Sequence, residues 1–274
     1  MSSNSNEDTV LLIKTVQITP FRILMTALKD ILLDTNITFT KDGIKIINMD
    51  KSHTILVHLN LDANNFEYFH CAFNKIIIGV NMFHLFKLIN SIDNDDTLTL
   101  FIEKKHYMDG IVKYLGMRFE NGIIKQCKTQ YLRLIEPDDQ ELEIPNVTYT
   151  SIINLPSSDF QKIIRDTSNL SNRLEIKCVN DELIFSLEGP FAKVEIVRSE
   201  CDGNLEFVKK QNANDIIQGE FDLKYLSYFI KCTNLCNSIE LMIENDLPLI
   251  VNYKVASLGE IKLCLSSLPS IHNS

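Results

Sequence analysis

No run of apolar residues in this 274-residue sequence approaches the length of a membrane span. The polar opening Met1–Asp8 lacks the charged-then-apolar order of a secretory leader. Seven cysteines, an odd number, include no Cys-x-x-Cys pair; Cys232 and Cys236 lie four apart, with no histidine or further cysteine nearby to complete a zinc site. Buried reduced thiols in an intracellular protein are the expected reading. The nine glycines form no phosphate-cradling loop. Asp93-Asn94-Asp95-Asp96 lacks the glycine at position six and the glutamate at twelve of a calcium loop, and reads as a polar turn. Ser52 and His53, adjacent in an extended stretch, point to opposite faces and form no nucleophile pair. Neither catalysis, nor a metal, nor a cofactor is therefore expected. There is also no basic surplus: 27 Lys and Arg face 36 Asp and Glu, a net charge of −9. That argues against nucleic acid unless the charges are segregated.

What is present is a helix-then-strand unit written twice, 141 residues apart. Met82, Leu85 and Ile89 match Leu223, Leu226 and Ile230 on one helical face. Leu98, Leu100 and Ile102 match Ile239, Leu241 and Ile243 on one strand face. A duplicated unit implies two similar domains, and 274 residues with 45% hydrophobic content suit two ordinary cores. Strand-like runs are Val10–Ile18, Ile37–Phe39, Ile44–Ile47, Thr54–Leu61, Ile111–Arg118 and Gln130–Ile135, then Thr148–Leu155, Leu174–Val179, Leu183–Leu187, Lys193–Arg198 and Leu249–Val255. Asp42-Gly43 and Asn121-Gly122 signal hairpins. Helices are expected over Pro20–Asp34, Asn81–Ile92, Ser157–Leu170 and Phe221–Cys232, with Ser157, Ser158 and Asp159 offering caps. The class is α+β. Acidic, proline-bounded 136–147 separates domains 10–135 and 148–268, and residues 1–9 and 269–274 read as disordered tails.

Each expected helix buries one face and leaves cations on another: Arg22 and Lys29, Lys87, Lys162 and Arg165, then Lys224 and Lys231. Over these spans seven basic residues face five acidic ones, net +2, leaving −11 for the rest of the chain. The helices alone are not acidic.

Several collinear stretches carry a family resemblance: Ala27-Leu28-Lys29-Asp30, Gly43–Ile46, Met49–Val57, Leu155–Phe160 with Arg165-Asp166 and Ser168, and Leu247–Ala256 with Gly259. Together they resemble the proliferating cell nuclear antigen family of DNA sliding clamps over about Val10–Leu268. The resemblance implies two similar clamp domains per chain, with antiparallel sheets outside. Two helices per domain would line a channel, and three chains would close head to tail into a homotrimeric ring. It places Arg22, Lys29, Lys87, Lys162, Arg165, Lys224 and Lys231 toward double-stranded DNA, held without sequence preference, with Lys87 and Lys231 as matched contacts. An acidic exterior would keep DNA off the outside of the ring. Where family clamps carry a second basic residue, Asn90 stands.

The resemblance also implies a pocket for clamp-binding peptides of DNA polymerase, the clamp loader and other replication and repair factors, at Met49, Ser52, His53, Leu142, Ile144, Tyr149 and Pro248. It implies subunit-closing strand edges near Lys128, Gln130, Leu132 and Leu134 on one side, and Ala192, Val194, Ile196 and Arg198 on the other. Cys264, Ser266 and Ser267 replace the family's usual C-terminal aromatic and Ala-Pro residues. Asn180 replaces its modified lysine. The alternative is a clamp relative that does not form a homotrimer, and a metal-dependent nucleic-acid enzyme is a remote one. The expected location is the nucleus, or the replication compartment of a virus; the Asn- and Ile-rich composition points to an AT-rich genome. No membrane contact is expected.

Overall fold

Strict alternation in the segment Thr97–Glu103 sends Leu98, Leu100 and Ile102 to one side of a strand, where all three are buried. The same pattern recurs in the segment Ser238–Ile243, where Ile239, Leu241 and Ile243 are buried. Around these two strands the chain builds two units. The computed structural model describes residues 8–138, 142, 147–210, 212 and 215–269. Among them, the first unit takes the stretches up to Lys51, His58–Leu142 and Val255–Glu260. The second takes Ser52–Val57, Glu143–Lys254 and the chain from Ile261 onward.

The first thirteen elements are β1 (Thr9–Thr15), α1 (Ile18–Ile31), β2 (Asp34–Thr40), β3 (Gly43–Met49), β4 (Ile55–Asp62), β5 (Tyr68–Cys71), β6 (Lys75–Asn81), α2 (Met82–Ile89), β7 (Thr97–Glu103), β8 (Tyr107–Met108), β9 (Ile111–Val112), β10 (Tyr114–Asn121) and β11 (Gln126–Arg133). An antiparallel sheet runs β11-β10-β7-β1-β5. Its buried face meets the helices: Leu100 and Leu115 join Phe21, Leu24 and Met25 of α1 and Leu85 and Ile89 of α2 around an apolar cavity of about 40 Å³. β2 pairs with β6 and β3. Gly43 opens β3 at φ 148°, where a Cβ would lie 1.9 Å from the Leu61 carbonyl oxygen, so no other residue fits.

The second unit follows with β12 (Ser151–Pro156), α3 (Ser157–Ser168), β13 (Arg173–Val179), β14 (Glu182–Glu188), β15 (Lys193–Ser199), β16 (Glu206–Lys209), β17 (Ile216–Asp222), α4 (Leu223–Phe229) and a 3₁₀ turn Ile230–Leu235, then β18 (Ser238–Ile243), β19 (Leu249–Val255) and β20 (Gly259–Leu265). One antiparallel sheet is β15-β14-β13-β17, and another strand set runs β16-β12-β18-β19. The architecture is α+β, with four α-helices among antiparallel strands in the described residues.

Several boundaries differ from the sequence reading. β1 stops at Thr15, and α1 begins at Ile18, so Pro20 sits inside the first turn, where its missing N–H is harmless. α1 ends at Ile31 because Leu32 turns extended, and Asp34 starts β2. The fourth helix is α-helical only to Phe229 and tightens to 3₁₀ beyond it. Ser157 does not cap α3: its hydroxyl donates to the carbonyls of Thr233 (3.1 Å) and Cys236 (2.6 Å). Asn121-Gly122 opens a longer turn than a two-residue hairpin, with Asn121 Oδ1 accepting from the amides of Ile123 and Ile124. β5, β6, β8, β16, β17 and β20 lie outside the runs read as strands. The cysteines are all free, but Cys127 and Cys201 are exposed rather than buried. Asp93–Asp96 is a turn closed by Asp93 and Asp96 on each other's backbone. Among the described residues no His/Cys/Asp/Glu group could hold a metal, and no helix is long and apolar enough to cross a membrane.

Candidate nucleic-acid interface

With the observed boundaries, Asp34 and Asp222 leave the helices. The four helices and the 3₁₀ turn then hold seven basic residues against three acidic ones, Asp30, Asp159 and Asp166. The segregation of charge is stronger than the expected boundaries imply.

The two helix pairs hold these cations differently. In the first unit Arg22 is half-buried. Its Nη2 donates to Asn94 Oδ1, which also accepts from Thr19 Oγ1 at 3.3 Å. Lys29 is half-buried too, 2.9 Å from Asp30 Oδ1 and 4.8 Å from the centroid of the Phe86 ring on α2. Lys87 is exposed and stands 4.5 Å over the ring of Phe83, one turn earlier on α2. In the second unit Lys162 and Arg165 are both exposed on α3. Lys224 lies 5.5 Å from the Tyr225 ring and Lys231 5.3 Å from the Tyr228 ring. The two tyrosines meet edge to face at 6.4 Å. α3 is tied to α4 and its 3₁₀ extension by Ser168 and Ser227 hydroxyls at 3.3 Å and by Gln161 Nε2 donating to the Ile230 carbonyl at 3.2 Å. An ammonium over a ring gains about 0.5–1 kcal/mol at exposed sites and keeps its outer donors available for phosphate.

Lys87 and Lys231 are not equivalent in the repeat. An offset of 141 pairs Lys87 with Tyr228 and Lys231 with Asn90. The chemistry recurs at shifted positions: Phe83 precedes Lys87 by four residues and Tyr228 precedes Lys231 by three, whereas Tyr225 directly follows Lys224. The aromatic partners are side chains that the charge pattern alone did not single out. For Phe83 and Tyr228 the sequence signal is an aromatic one turn before a lysine.

The residues expected to form the peptide pocket belong to both units. In the first, Met49 ends β3 half-buried, and Leu142 is half-buried. In the second, Ser52 and His53 are exposed in a turn rather than a strand, with His53 left-handed at φ 55°. Ser52 Oγ lies 3.1 Å from Tyr225 Oη. Pro248 is exposed, but Tyr149 is buried, its hydroxyl donating to the Pro248 carbonyl at 2.8 Å. Burial pushes the Tyr149 phenol up to about 12. Tyr149 is thus a support beneath Pro248, not a contact surface. Ile144 lies outside the described residues.

The expected subunit edges are outermost strands, β11 of one sheet and β15 of another. Lys128 Nζ donates to Ser91 Oγ at 3.2 Å. Leu132 turns inward and is buried, contrary to the expectation of an interface side chain, because Tyr131 and Arg133 take the opposite side of β11. Gln130 is half-buried, its Oε1 sealed from water without a hydrogen bond. Leu134 lies just past β11, its amide donating to the Lys113 carbonyl at 3.0 Å. Ala192 precedes β15, and Val194 and Ile196 are half-buried along it. Arg198 pairs with Asp159 at 2.8 Å and so ties β15 to the first turn of α3. Asn180 stands in the β13–β14 turn at φ 53°.

Residues 10–140 match the family model described as proliferating cell nuclear antigen, N-terminal domain, and residues 143–268 match its C-terminal domain. A probable DNA polymerase sliding clamp 1 of Paramecium bursaria Chlorella virus 1 is 30% identical over 271 residues, 97% of this chain and 100% of that protein. A probable DNA polymerase sliding clamp of Acanthamoeba polyphaga mimivirus is 30% identical over 226 residues, covering 82% of this chain but 47% of the longer relative.

Proposed function

Because the chain belongs to the proliferating cell nuclear antigen family, we propose that it is a DNA sliding clamp. In this role it encircles duplex DNA and tethers DNA polymerase, giving processivity without chemistry of its own. The observation that carries the reading is the segregation of charge. Seven cations against three acids sit on the helices of a chain whose net charge is −9. Phosphate contact through such cations is independent of sequence and sensitive to salt. Arg22, Lys29, Lys87, Lys162, Arg165, Lys224 and Lys231 form the duplex-facing set, with the second unit's members the most accessible. Three copies close the ring through the β11 and β15 edges. Clamp-binding peptides of polymerase and loader dock around Met49, Ser52, His53, Leu142, Ile144 and Pro248. The site of action is where DNA is copied, the nucleus or a viral replication compartment.

Solution mass tests closure: a species three times 31.4 kDa is expected, and a stable monomer overturns the ring. Retention on nicked circular duplex after loading, lost on linearisation, tests encirclement. Equal retention on both topologies overturns it.

A further inference from the structure

The helices cover one face of the β11-β10-β7-β1-β5 sheet; the other carries a row of side chains in register across all five strands. Tyr131 pairs with Gly116, Gly116 with Phe101, Phe101 with Leu12 and Leu12 with His70. Gly116 is the reason the row lies flat: a Cβ there would be 2.3 Å from Phe101 Cζ, so the phenyl ring lies across the glycine. Tyr131 stands edge-on to that ring at 5.8 Å, and the Arg118 guanidinium lies 5.5 Å from its centroid. His106 brings a further ring to 5.8 Å from Tyr131. Tyr131 is 45% exposed, and Tyr68, at the far edge of the sheet, is 40% exposed.

Charge distinguishes this face. Lys14, Arg118 and Arg133 outnumber Glu103 and Glu120 on it, although the chain carries −9 overall. The helix-free face of the second unit's β15-β14-β13-β17 sheet has no aromatic residue, and there six acidic residues oppose three basic ones. The exterior is therefore not uniformly acidic, as the charge count alone implies. A flat sheet with exposed rings between cations matches unstacked bases and their phosphates. Each base stacked on an aromatic contributes about 1–3 kcal/mol with little sequence preference. A duplex keeps its bases stacked inside and offers nothing to those rings.

We propose that the helix-free face of the five-stranded sheet is a second nucleic-acid site, one that binds single-stranded DNA or RNA by stacking on Tyr131 and Tyr68 and by phosphate contact with Lys14, Arg118 and Arg133. The site does not depend on ring closure or on the helix cations. The test uses the full chain and a fluorescein-labelled 20-mer of thymidylate, read by anisotropy at 50 mM salt and titrated with salt. Tyr131→Ala and the double variant Lys14→Ala/Arg133→Ala should each weaken binding at least about tenfold. The double variant should also flatten the salt slope, by about 0.7 for each phosphate no longer neutralised. Tyr131→Phe should keep most of the affinity. Retention on circular duplex should be unchanged in Lys14→Ala and in Arg118→Ala, which lie on β1 and β10 away from the ring-closing β11 edge, and this separates the site from the clamp reading. Absence of 20-mer binding overturns the proposal. So does loss of binding in Lys162→Ala/Arg165→Ala with none in Tyr131→Ala, and so does preference for an oligoglutamate peptide over the 20-mer.

Discussion

The two units repeat one plan and spend their cations differently. In the first, Arg22 is anchored to Asn94, and Lys29 to Asp30 and the Phe86 ring. In the second, Lys162 and Arg165 stand exposed on α3. Titratable burial differs as well. Cys178 and Cys232 are pushed up to about 12 by burial, Cys264 to about 11, and Tyr149 to about 12, all in the second unit. The first unit has the raised Cys71 thiol. A shared fold thus leaves each unit its own electrostatic character: the first anchors Arg22 and Lys29 and exposes Lys87, whereas the second exposes all four of its helix cations.

The largest expected consequence is an alkaline instability greater in the second unit than in the first. Below about pH 9 these thiols are neutral in both states and make no pH-dependent difference. Between pH 9 and their folded values near 11–12 the unfolded chain releases protons that the folded chain keeps, so stability falls as pH rises. The slope is about 1.4 kcal/mol per pH unit for each such group. Thiol labelling in urea, read by mass spectrometry, reports each unit separately. From pH 8 to 10.5 the urea midpoint for labelling Cys178 and Cys232 should drop well below its pH 8 value, and further than that for Cys71. Equal drops would remove the distinction.

Next in size is the division of labour toward DNA. Lys162→Ala/Arg165→Ala should reduce affinity for nicked circular duplex about tenfold or more at 0.1 M salt. Arg22→Ala/Lys29→Ala should cost less than about threefold, since those cations are already engaged. A reversed order would reassign the contact surface to the first unit. In stability the ranking inverts. Arg22→Ala removes an exposed hydrogen bond to Asn94 and part of a half-buried side chain and should destabilise by about 0.5–1 kcal/mol, whereas Lys162→Ala should stay within about 0.5 kcal/mol. Urea midpoints decide this, and a neutral Arg22→Ala would mean the Asn94 hydrogen bond contributes nothing.

How much of this was legible follows from what periodicity can carry. Met82, Leu85 and Ile89, and their copies Leu223, Leu226 and Ile230, were readable as inward faces because helical spacing alone dictates them, and all six are buried. β6 and β17 were not readable, since each runs without a break into the helix it precedes. Ser157 looked like a cap because of its position; only the fold brings the Thr233 and Cys236 carbonyls to its hydroxyl. The seven cations were readable as exposed helix positions, yet the engagement of Arg22 with Asn94 spans 72 residues. Tyr131, Phe101 and Leu12 are a row only once strand register is known.

The finest contrast lies in the helix starts. In each unit the second helix has a side-chain cap and the first has none. Asn81 Oδ1 accepts from the His84 amide at 3.2 Å, and Asp222 Oδ1 from the Lys224 amide at 2.8 Å. These two residues are 141 apart, so the caps belong to the repeated unit as surely as its apolar face does. Both helices are short, at eight and seven residues, and each leaves a large share of its amides without intrahelical partners. Losing the cap should therefore cost each unit about 1 kcal/mol. Asp222 adds a carboxylate at the positive end of its helix. Asp222→Ala should consequently cost slightly more than Asn81→Ala, by a margin that shrinks as salt is raised. Asn81→Asp should lower the midpoint, because Asn81 Nδ2 donates to Asp34 Oδ1 at 2.7 Å and an aspartate there would face that carboxylate, whereas Asp222→Asn should narrow the gap between units. If Asn81→Ala leaves the urea midpoint unmoved, the cap is a passive feature of α2. The repeat then conserves its apolar face without conserving how the helix begins.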